Sequence, residues 1–391
     1  MAELGTGGPA PLAIVLSGLG LGGVQRTMLT LADGIAARGI PVDLVVPDGH
    51  GPFREQVPPS VRLVELDAGM ARLPWFRARK RRRSLASTLA LARYLERVRP
   101  RAAFSASHYV NLSLLAARRL SRHELPVVVS QRTHLSRAVR NAGFPFRRRP
   151  LLGRMVRMAY PSADAIVAVS AGVADDLAEV AGLARERIEV VPNPLRLEQV
   201  REGAAQPPPH PWLAPDEPPV CLAVGRLAAQ KDFPTLLRAF ARVRQNRMAR
   251  LLVLGEGRER GALESCIREL GLSEDVELPG YVENPFAWMS RARLFVLSSA
   301  YEGLPGVVIQ ALACGCPVVS TDCPSGPREI LQGGKLGALV PVGDSDALAA
   351  AIDGALNGRV DRTVLVRRAE DFALEPIVDR WLGLLDRDRR T

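Results

Sequence analysis

Residues 294–314 have the sequence LFVLSSAYEGLPGVVIQALAC, which indicates a strand, a turn and a helix in succession. Leu294–Leu297 is a short apolar run and predicts a buried strand. A helix is predicted over 306–314, because helical periodicity begins after Pro305 and is followed by glycine and proline. The turn between them carries Glu302, and Gln310 lies eight positions further along. Open α/β sheets bind ligands beyond the carboxyl ends of their strands, so this segment predicts a ligand site.

The same alternation of apolar strands and amphipathic helices runs through the whole chain. It predicts parallel sheets with helices on both faces. A proline-rich stretch over 206–219 interrupts it, since prolines cannot continue a helix or a central strand. We therefore predict an α/β protein of two doubly wound, Rossmann-like domains facing a cleft. The strand candidates are Leu12–Ser17, Val42–Val46, Ala102–Ser105, Val127–Ser130, Ala165–Val169, Ile188–Val191, Val220–Val224, Arg250–Leu254, Val276–Leu278, Leu294–Leu297 and Pro317–Thr321.

These patterns place the domain boundaries. We predict an N-terminal domain over 1–200, a linker over 201–219, a C-terminal domain over 220–372 and a final helical segment over 373–391. In that last segment, Pro376–Leu385 has an amphipathic pattern.

Composition excludes some classes of protein and favours others. The chain has 391 residues, 47% of them hydrophobic, and no apolar run long enough to span a membrane. The run at 12–16 is short and lacks a preceding basic region, so we interpret it as a strand and not as a signal peptide. All five cysteines follow residue 220 and fit reduced thiols in a cytoplasmic protein. The net charge is +11, and residues 1–200 carry an excess of 13 positive charges, which indicates an anionic surface or substrate on that side.

Arg226 and Lys231 follow the first strand of the second half and are candidates for binding a diphosphate. Arginine offers a planar fork of donors and lysine a compact charge. The chain has only three lysines, so one at the end of a strand favours a function. The alternative is a pair of solvated loop cations.

Glu302 is the strongest candidate of the turn at 302–305. A glycine allows the backbone to approach a ligand, and Pro305 suits the first turn of a helix whose N–H groups are available to an anion. Glu302 would then accept hydrogen bonds from sugar hydroxyls, or it is a solvated loop residue. Gln310 either packs or hydrogen-bonds a ribose, since an amide both donates and accepts.

Several glycine turns are weaker candidates. Gly18, Gly20 and Gly23 form a GxGxxG pattern before the first helix, and Gly22-Gly23 leads into that helix. The pattern fits a phosphate or an acceptor, a plain turn, or a nicotinamide site completed by Asp48. Gly280 and Tyr281 follow a strand and offer backbone groups to a nucleobase edge, or form a structural turn.

Polar residues at other strand and helix ends leave alternatives open. Glu329 either touches a ligand or makes a local salt bridge. His108, Arg132 and His134 lie at or just beyond the ends of strands of the first half, where each histidine is either functional or structural. Cys314, Cys316 and Cys323 match no common zinc spacing, so we predict packed thiols and no metal site.

Two arginine-rich runs, at 77–83 and 147–149, each follow aromatic residues. Aromatic and basic loops together favour contact with an anionic membrane surface. Nucleic acid and a solvated loop are the alternatives.

Four blocks of the second half together resemble the family 4 retaining glycosyltransferases of GT-B fold (glycosyl transferases group 1). They are Gly225-Arg226-Leu227 with Lys231, Glu302-Gly303-Leu304-Pro305 with position 310, Ala313–Val319, and Pro324–Glu329. The first half resembles the family through Gly22-Gly23 and its strand pattern alone. The family commonly has glutamate where this chain has Gln310.

The resemblance implies a nucleotide-sugar donor, expected to be a UDP-sugar, which binds mainly to the second domain. Arg226 and Lys231 would hold the diphosphate, Glu302 with the amides of Gly303 and Leu304 the sugar, and Gln310 the ribose. It also implies a first-domain histidine near the anomeric carbon, for which His134 is the candidate, with Arg132 competing for the place. The fold family is usually metal-independent, and its last helix commonly crosses back to the first domain.

Together these observations predict a retaining hexosyl- or N-acetylhexosaminyltransferase that needs no separate cofactor. The expected acceptor is a glycan or a lipid-linked saccharide, at the inner face of the plasma membrane. A nucleotide-sugar epimerase of the same fold and a basic nucleic-acid-binding protein are the alternatives. The sugar, the linkage and the oligomeric state stay open.

Overall fold

The computed structural model describes residues 9–20, 22–66, 80–137, 149–208 and 210–385. The chain forms two compact units. The first comprises residues 1–169, 173–194 and 374–391, and the second comprises 170–172 and 195–373. Each has its own parallel sheet and its own core.

Seven parallel strands form the sheet of the first unit, in the order β3-β2-β1-β4-β5-β6-β7. The central strand β1 pairs with β2 on one side and β4 on the other. Most of these strands are buried along their length, as expected when helices cover both faces. Their bounds are β1 Leu12–Val15, β2 Val42–Val46, β3 Val61–Glu65, β4 Ala102–Ala106, β5 Val127–Gln131, β6 Ala165–Ala168 and β7 Ile188–Val190.

The last helix of the chain, Leu374–Gly383, completes the core of the first unit. Gly34 lies so close to it that a Cβ there would be 2.8 Å from Val378 Cγ2. Trp381 is fully buried, with its ring 5.1 Å from that of Phe104. The other helices associated with this sheet are Gly23–Ala36, Lys80–Val98, His108–Leu120, Arg149–Ala159 and Ala171–Ala181.

Six parallel strands form the sheet of the second unit, in the order β10-β9-β8-β11-β12-β13. They are β8 Val220–Val224, β9 Arg250–Leu254, β10 Val276–Gly280, β11 Leu294–Leu297, β12 Val318–Thr321 and β13 Ala338–Val340. Its helices are Leu197–Ala205, Phe233–Asn246, Arg260–Glu269, Phe286–Met289, Gly306–Ala313, Pro327–Ile330, Ser345–Asn357 and Arg362–Glu370.

The structure differs from the sequence expectations mainly at edges and boundaries. The edge strands β7 and β10 are among the strands predicted from the sequence, whereas β3 and β13 are not, because β3 is half exposed and β13 has only three residues, so neither gives a continuous apolar run. The second unit begins at residue 195, because the helix Leu197–Ala205 packs within it; Asn284 Nδ2 donates to the Gly203 carbonyl at 3.0 Å. No helix among the described residues is long and apolar enough to cross a membrane.

Candidate active site

Lys231 and Glu302 form a buried ion pair in the second unit. Lys231 Nζ lies 2.7 Å from Glu302 Oε1, and the hydroxyl of Ser299 donates to the same oxygen at 2.7 Å. Glu302 is 8% exposed, so its charge is compensated by these partners and not by bulk water. The structure thus brings together two of the residues that the sequence analysis placed around one ligand.

The loops that follow β8 and β11 hold this pair through their backbones. The carbonyl of Lys231 accepts a hydrogen bond from the Ser298 hydroxyl at 2.7 Å. The amide of Ala300 donates to the carbonyl of Gln230 at 2.8 Å. Since β8 and β11 are neighbours in the sheet, their carboxyl-end loops meet, and the ion pair forms where they meet.

Glycines allow the loop that carries Arg226 to pack closely against its neighbour. Gly255 has φ +140°, and a Cβ there would lie 1.9 Å from the carbonyl oxygen of Gly225. The amide of Leu227 donates to the carbonyl of Glu256 at 2.9 Å. The loop after β8 is therefore held against the loop after β9 with no room for a side chain between them.

Arg226 projects from this loop and is exposed. Among the residues that the structure describes, no carboxylate forms an ion pair with it. Its fork of N–H donors is available to an anionic ligand.

The turn of Gly303 and Leu304 is buried and leads into the helix Gly306–Ala313. The carbonyl of Gly303 accepts hydrogen bonds from the hydroxyls of Ser170 and Ser325, at 2.8 and 3.1 Å. Gln310 lies in the second turn of that helix and is half-buried. The helix therefore starts from a fixed turn, with Glu302 before it and Gln310 on it.

The remaining candidates of the second unit are Gly280 and Tyr281, at the end of β10, and Glu329, in a short helix. Gly280 has φ +95° and ends β10, where its carbonyl accepts from the Gly255 amide at 2.7 Å. Tyr281, next to it, is 45% exposed. The Glu329 carboxylate accepts hydrogen bonds from the amides of Ala171 and Gly172, at 2.8 and 3.0 Å, within the segment 170–172 of this unit. Glu329 thus binds backbone amides in this structure.

In the first unit, Gly22 directly precedes the helix that begins at Gly23, and no side chain caps that helix. A Cβ at Gly22 would lie 2.5 Å from Oε1 of Gln25. Asp48, the acid of the nicotinamide alternative, is exposed and hydrogen-bonds His50 at 2.6 Å.

His134 is held by a neighbouring acid. Its Nδ1 lies 3.0 Å from Asp176 Oδ1, and the amides of Leu135 and Ser136 donate to the same carboxylate. Burial would raise the pKa of Asp176, but the hydrogen bonds from His134 and Ser136 outweigh it and lower that pKa. These contacts orient the loop after β5.

Burial lowers the pKa of two further candidates, Arg132 and His108. Arg132 is 6% exposed, and burial lowers its pKa to about 10. Burial also lowers the pKa of His108 to about 4, so its imidazole is neutral at pH 7. One ring nitrogen of His108, Nδ1, is buried without a hydrogen-bond partner.

The cysteines are free thiols, and a group of exposed side chains has metal-ligand spacing. Burial raises the pKa of Cys314 and of Cys323 to about 12, and all five cysteines are free. Within the described residues, the one grouping with metal-ligand spacing is Asp48, His50 and Glu65, all exposed. The basic runs fall outside the described residues, apart from 80–83 and 149, whose side chains are not described.

Sequence reasoning missed the residues that support the ion pair. Ser299 bonds Glu302 directly, and Gln230 donates to the Tyr301 carbonyl at 2.9 Å. A signal was present in the two consecutive serines directly after β11, at the carboxyl end of a buried strand.

Two family models match the chain. "Glycosyltransferase Family 4" covers residues 21–199, and "Glycosyl transferases group 1" covers residues 218–357. The lipopolysaccharide core biosynthesis glycosyltransferase LpsE of Rhizobium meliloti is 30% identical over 295 residues, which are 71% of this chain and 83% of LpsE. The chain therefore belongs to the family 4 glycosyltransferases.

A second relative is the Campylobacter jejuni N-acetylgalactosamine-N,N'-diacetylbacillosaminyl-diphospho-undecaprenol 4-alpha-N-acetylgalactosaminyltransferase. It is 34% identical over 194 residues, and the match spans about half of each chain, 50% of this one and 51% of the relative. Among solved structures, Anabaena HepE in complex with UDP and glucose superposes with a TM-score of 0.73 at 17% identity, covering 97% of this chain and 100% of HepE. The two parallel α/β domains are thus those of the GT-B fold.

Proposed function

We propose that the protein transfers a hexosyl or N-acetylhexosaminyl group from a UDP-sugar to a glycan or a lipid-linked saccharide in the synthesis of a cell-surface polysaccharide or glycolipid. The observation that carries the proposal is the Lys231–Glu302 pair beside the exposed Arg226, at the carboxyl ends of β8 and β11. The names of LpsE and the Campylobacter enzyme support the acceptor class, and UDP in HepE supports the donor.

In this proposal the donor diphosphate lies against Arg226 and Lys231. Breaking the anomeric carbon–oxygen bond leaves the electron pair on the diphosphate, and the two cations stabilise that charge. The acceptor oxygen attacks the same face of the anomeric carbon, and its proton passes to the departing phosphate oxygen. The configuration is thereby retained, with no metal ion or separate cofactor.

Glu302 and Gln310 complete the donor site. Glu302 accepts hydrogen bonds from sugar hydroxyls while Lys231 turns toward the phosphate, and the turn of Gly303 and Leu304 supports the sugar. Gln310 bonds the ribose as a neutral amide. Gly280 and Tyr281 border the nucleobase.

The test is product formation from a panel of UDP-hexoses and UDP-N-acetylhexosamines, with and without a prenyl-diphosphate saccharide acceptor. We expect a product that requires the acceptor, keeps the anomeric configuration by NMR, and forms equally in EDTA. An isomerised free sugar from donor alone would instead indicate an epimerase.

Association with the inner face of the plasma membrane is part of the proposal, on the strength of the positive charge of residues 1–200. Neutralising residues 79–83 should weaken sedimentation with vesicles containing anionic lipid. Unchanged sedimentation would remove this part of the proposal and leave the donor site untouched.

A further inference from the structure

Arg132 is a buried cation without a carboxylate partner. It follows β5 directly, at the carboxyl end of the first unit's sheet, and is 6% exposed. No described carboxylate forms an ion pair with it. An uncompensated charge in a protein interior costs several kcal/mol in real proteins, so a chain that keeps one needs a reason.

The groups that Arg132 does contact cannot neutralise it. Nη1 donates to the side-chain oxygen of Asn193, and Nη2 lies 3.2 Å from the sulfur of Met28. The indole of Trp381 lies 5.7 Å away. Its Nε is buried and has no hydrogen-bond partner. These contacts fix the plane of the guanidinium while leaving both its charge and one donor unsatisfied.

The surroundings are polar where β4 and β5 end. Among the described residues, two further polar atoms at these strand ends are buried without a hydrogen-bond partner. They are Nδ1 of His108, just beyond β4, and Oε1 of Gln131, the last residue of β5. Met28, which touches Arg132, lies in the second turn of the helix Gly23–Ala36. A guanidinium binds phosphate oxygens through its planar fork of donors.

We infer that Arg132 binds a phosphate of a lipid-linked diphosphate at the carboxyl ends of β4 and β5. The inference rests on the proposed function, because a lipid-linked acceptor of that reaction carries a diphosphate. Arg132 is then a binding residue of the first unit, whereas His134 is held by Asp176.

The test compares the wild type with Arg132→Met, which keeps the side-chain length and removes the charge. Binding of UDP and of geranyl diphosphate is measured by calorimetry, and KM for a prenyl-diphosphate saccharide by transfer assay. We expect the affinity for geranyl diphosphate to fall at least tenfold and the KM for the saccharide acceptor to rise, with the affinity for UDP unchanged. A fall in UDP affinity without a fall in the affinity for geranyl diphosphate would contradict the inference.

Arg118→Met is the matched control, since Arg118 lies in the same unit and pairs with Asp164. It should lower the melting temperature and leave both affinities unchanged. Arg132→Met should keep or raise the melting temperature, because a hydrophobic side chain removes an uncompensated buried charge. Unchanged affinities and KM in a folded Arg132→Met protein would overturn the inference. Failure of the wild type to bind UDP would instead contradict the proposed function.

Discussion

Lys231 Nζ lies 2.7 Å from Glu302 Oε1, although the two residues are 71 positions apart in the sequence. The fold brings them together as an ion pair. The resemblance assigns these two side chains to different parts of one donor, the diphosphate and the sugar. Their pairing fixes the position of both side chains, with Ser299 as a second donor to the carboxylate. In the proposed function, the Lys231 ammonium binds a donor phosphate, and the Glu302 carboxylate then accepts hydrogen bonds from the sugar hydroxyls.

Replacing Lys231 by methionine should weaken UDP binding by at least tenfold, or about 1.4 kcal/mol, because the charge that meets the diphosphate is lost. It should also lower the unfolding free energy, since Glu302 stays buried without its cation. Titration calorimetry and urea denaturation measure the two effects. Lys335→Met, at an exposed lysine of the same unit, is the control and should change neither. Equal UDP affinity in both variants would argue against a phosphate role for Lys231.

Glu302→Gln should separate sugar transfer from nucleotide binding. The amide keeps the shape of the side chain but loses the charge that pairs with Lys231 and accepts sugar hydroxyls. We expect the transfer rate to fall about 100-fold or more, as for loss of a transition-state contact, with UDP affinity changed only a few-fold. Steady-state kinetics with a UDP binding assay check this. An unaffected rate would exclude Glu302 from the reacting centre.

Gly255→Ala should destabilise the second unit by about 3 kcal/mol or more, through overpacking and backbone strain together. Its Cβ would lie 1.9 Å from the Gly225 carbonyl, and its φ is +140°. Gly354→Ala, in a helix with nothing within 4 Å of the new Cβ, should instead stabilise by about 0.5–1 kcal/mol. Denaturant unfolding of both variants measures the difference. If Gly255→Ala left the free energy of unfolding unchanged, the loop after β8 would not be tightly packed.

His108 should make stability depend on pH. Burial lowers its folded pKa from 6.5 to about 4, so between these values the unfolded chain binds more protons. The contribution of His108 is therefore complete above pH 6.5 and is lost as the pH falls toward 4, by up to about 3 kcal/mol. Urea denaturation at pH 7.0, 5.5 and 4.5 measures this, with His108→Gln as the comparison. If the wild type and His108→Gln lose the same free energy of unfolding as the pH falls, the pH dependence comes from titratable groups other than His108.

The sequence predicted where the residues of the candidate site lie in the fold, because those signals are local. Arg226, Lys231 and Glu302 each follow a buried apolar run, and parallel strands bring their carboxyl ends to one edge. The contact between Lys231 and Glu302 was not predictable from spacing, because it depends on β8 lying next to β11. The need for glycine at position 255 was not predictable either, because it depends on how closely the loop after β8 packs against the loop after β9.

In the first unit, the burial of Arg132 became visible only with tertiary structure. Its neighbours Met28, Asn193 and Trp381 come from three distant parts of the chain. The edge strands β3 and β13 were not predicted, because the first is half exposed and the second has only three residues.

The decisive measurement is calorimetric titration of UDP into the wild type and into the double variant Arg226→Met/Lys231→Met. We expect saturable one-to-one heat for the wild type, and an affinity at least 100-fold weaker for the folded double variant. No heat with folded wild-type protein, or equal affinity in the two proteins, would contradict the proposed function.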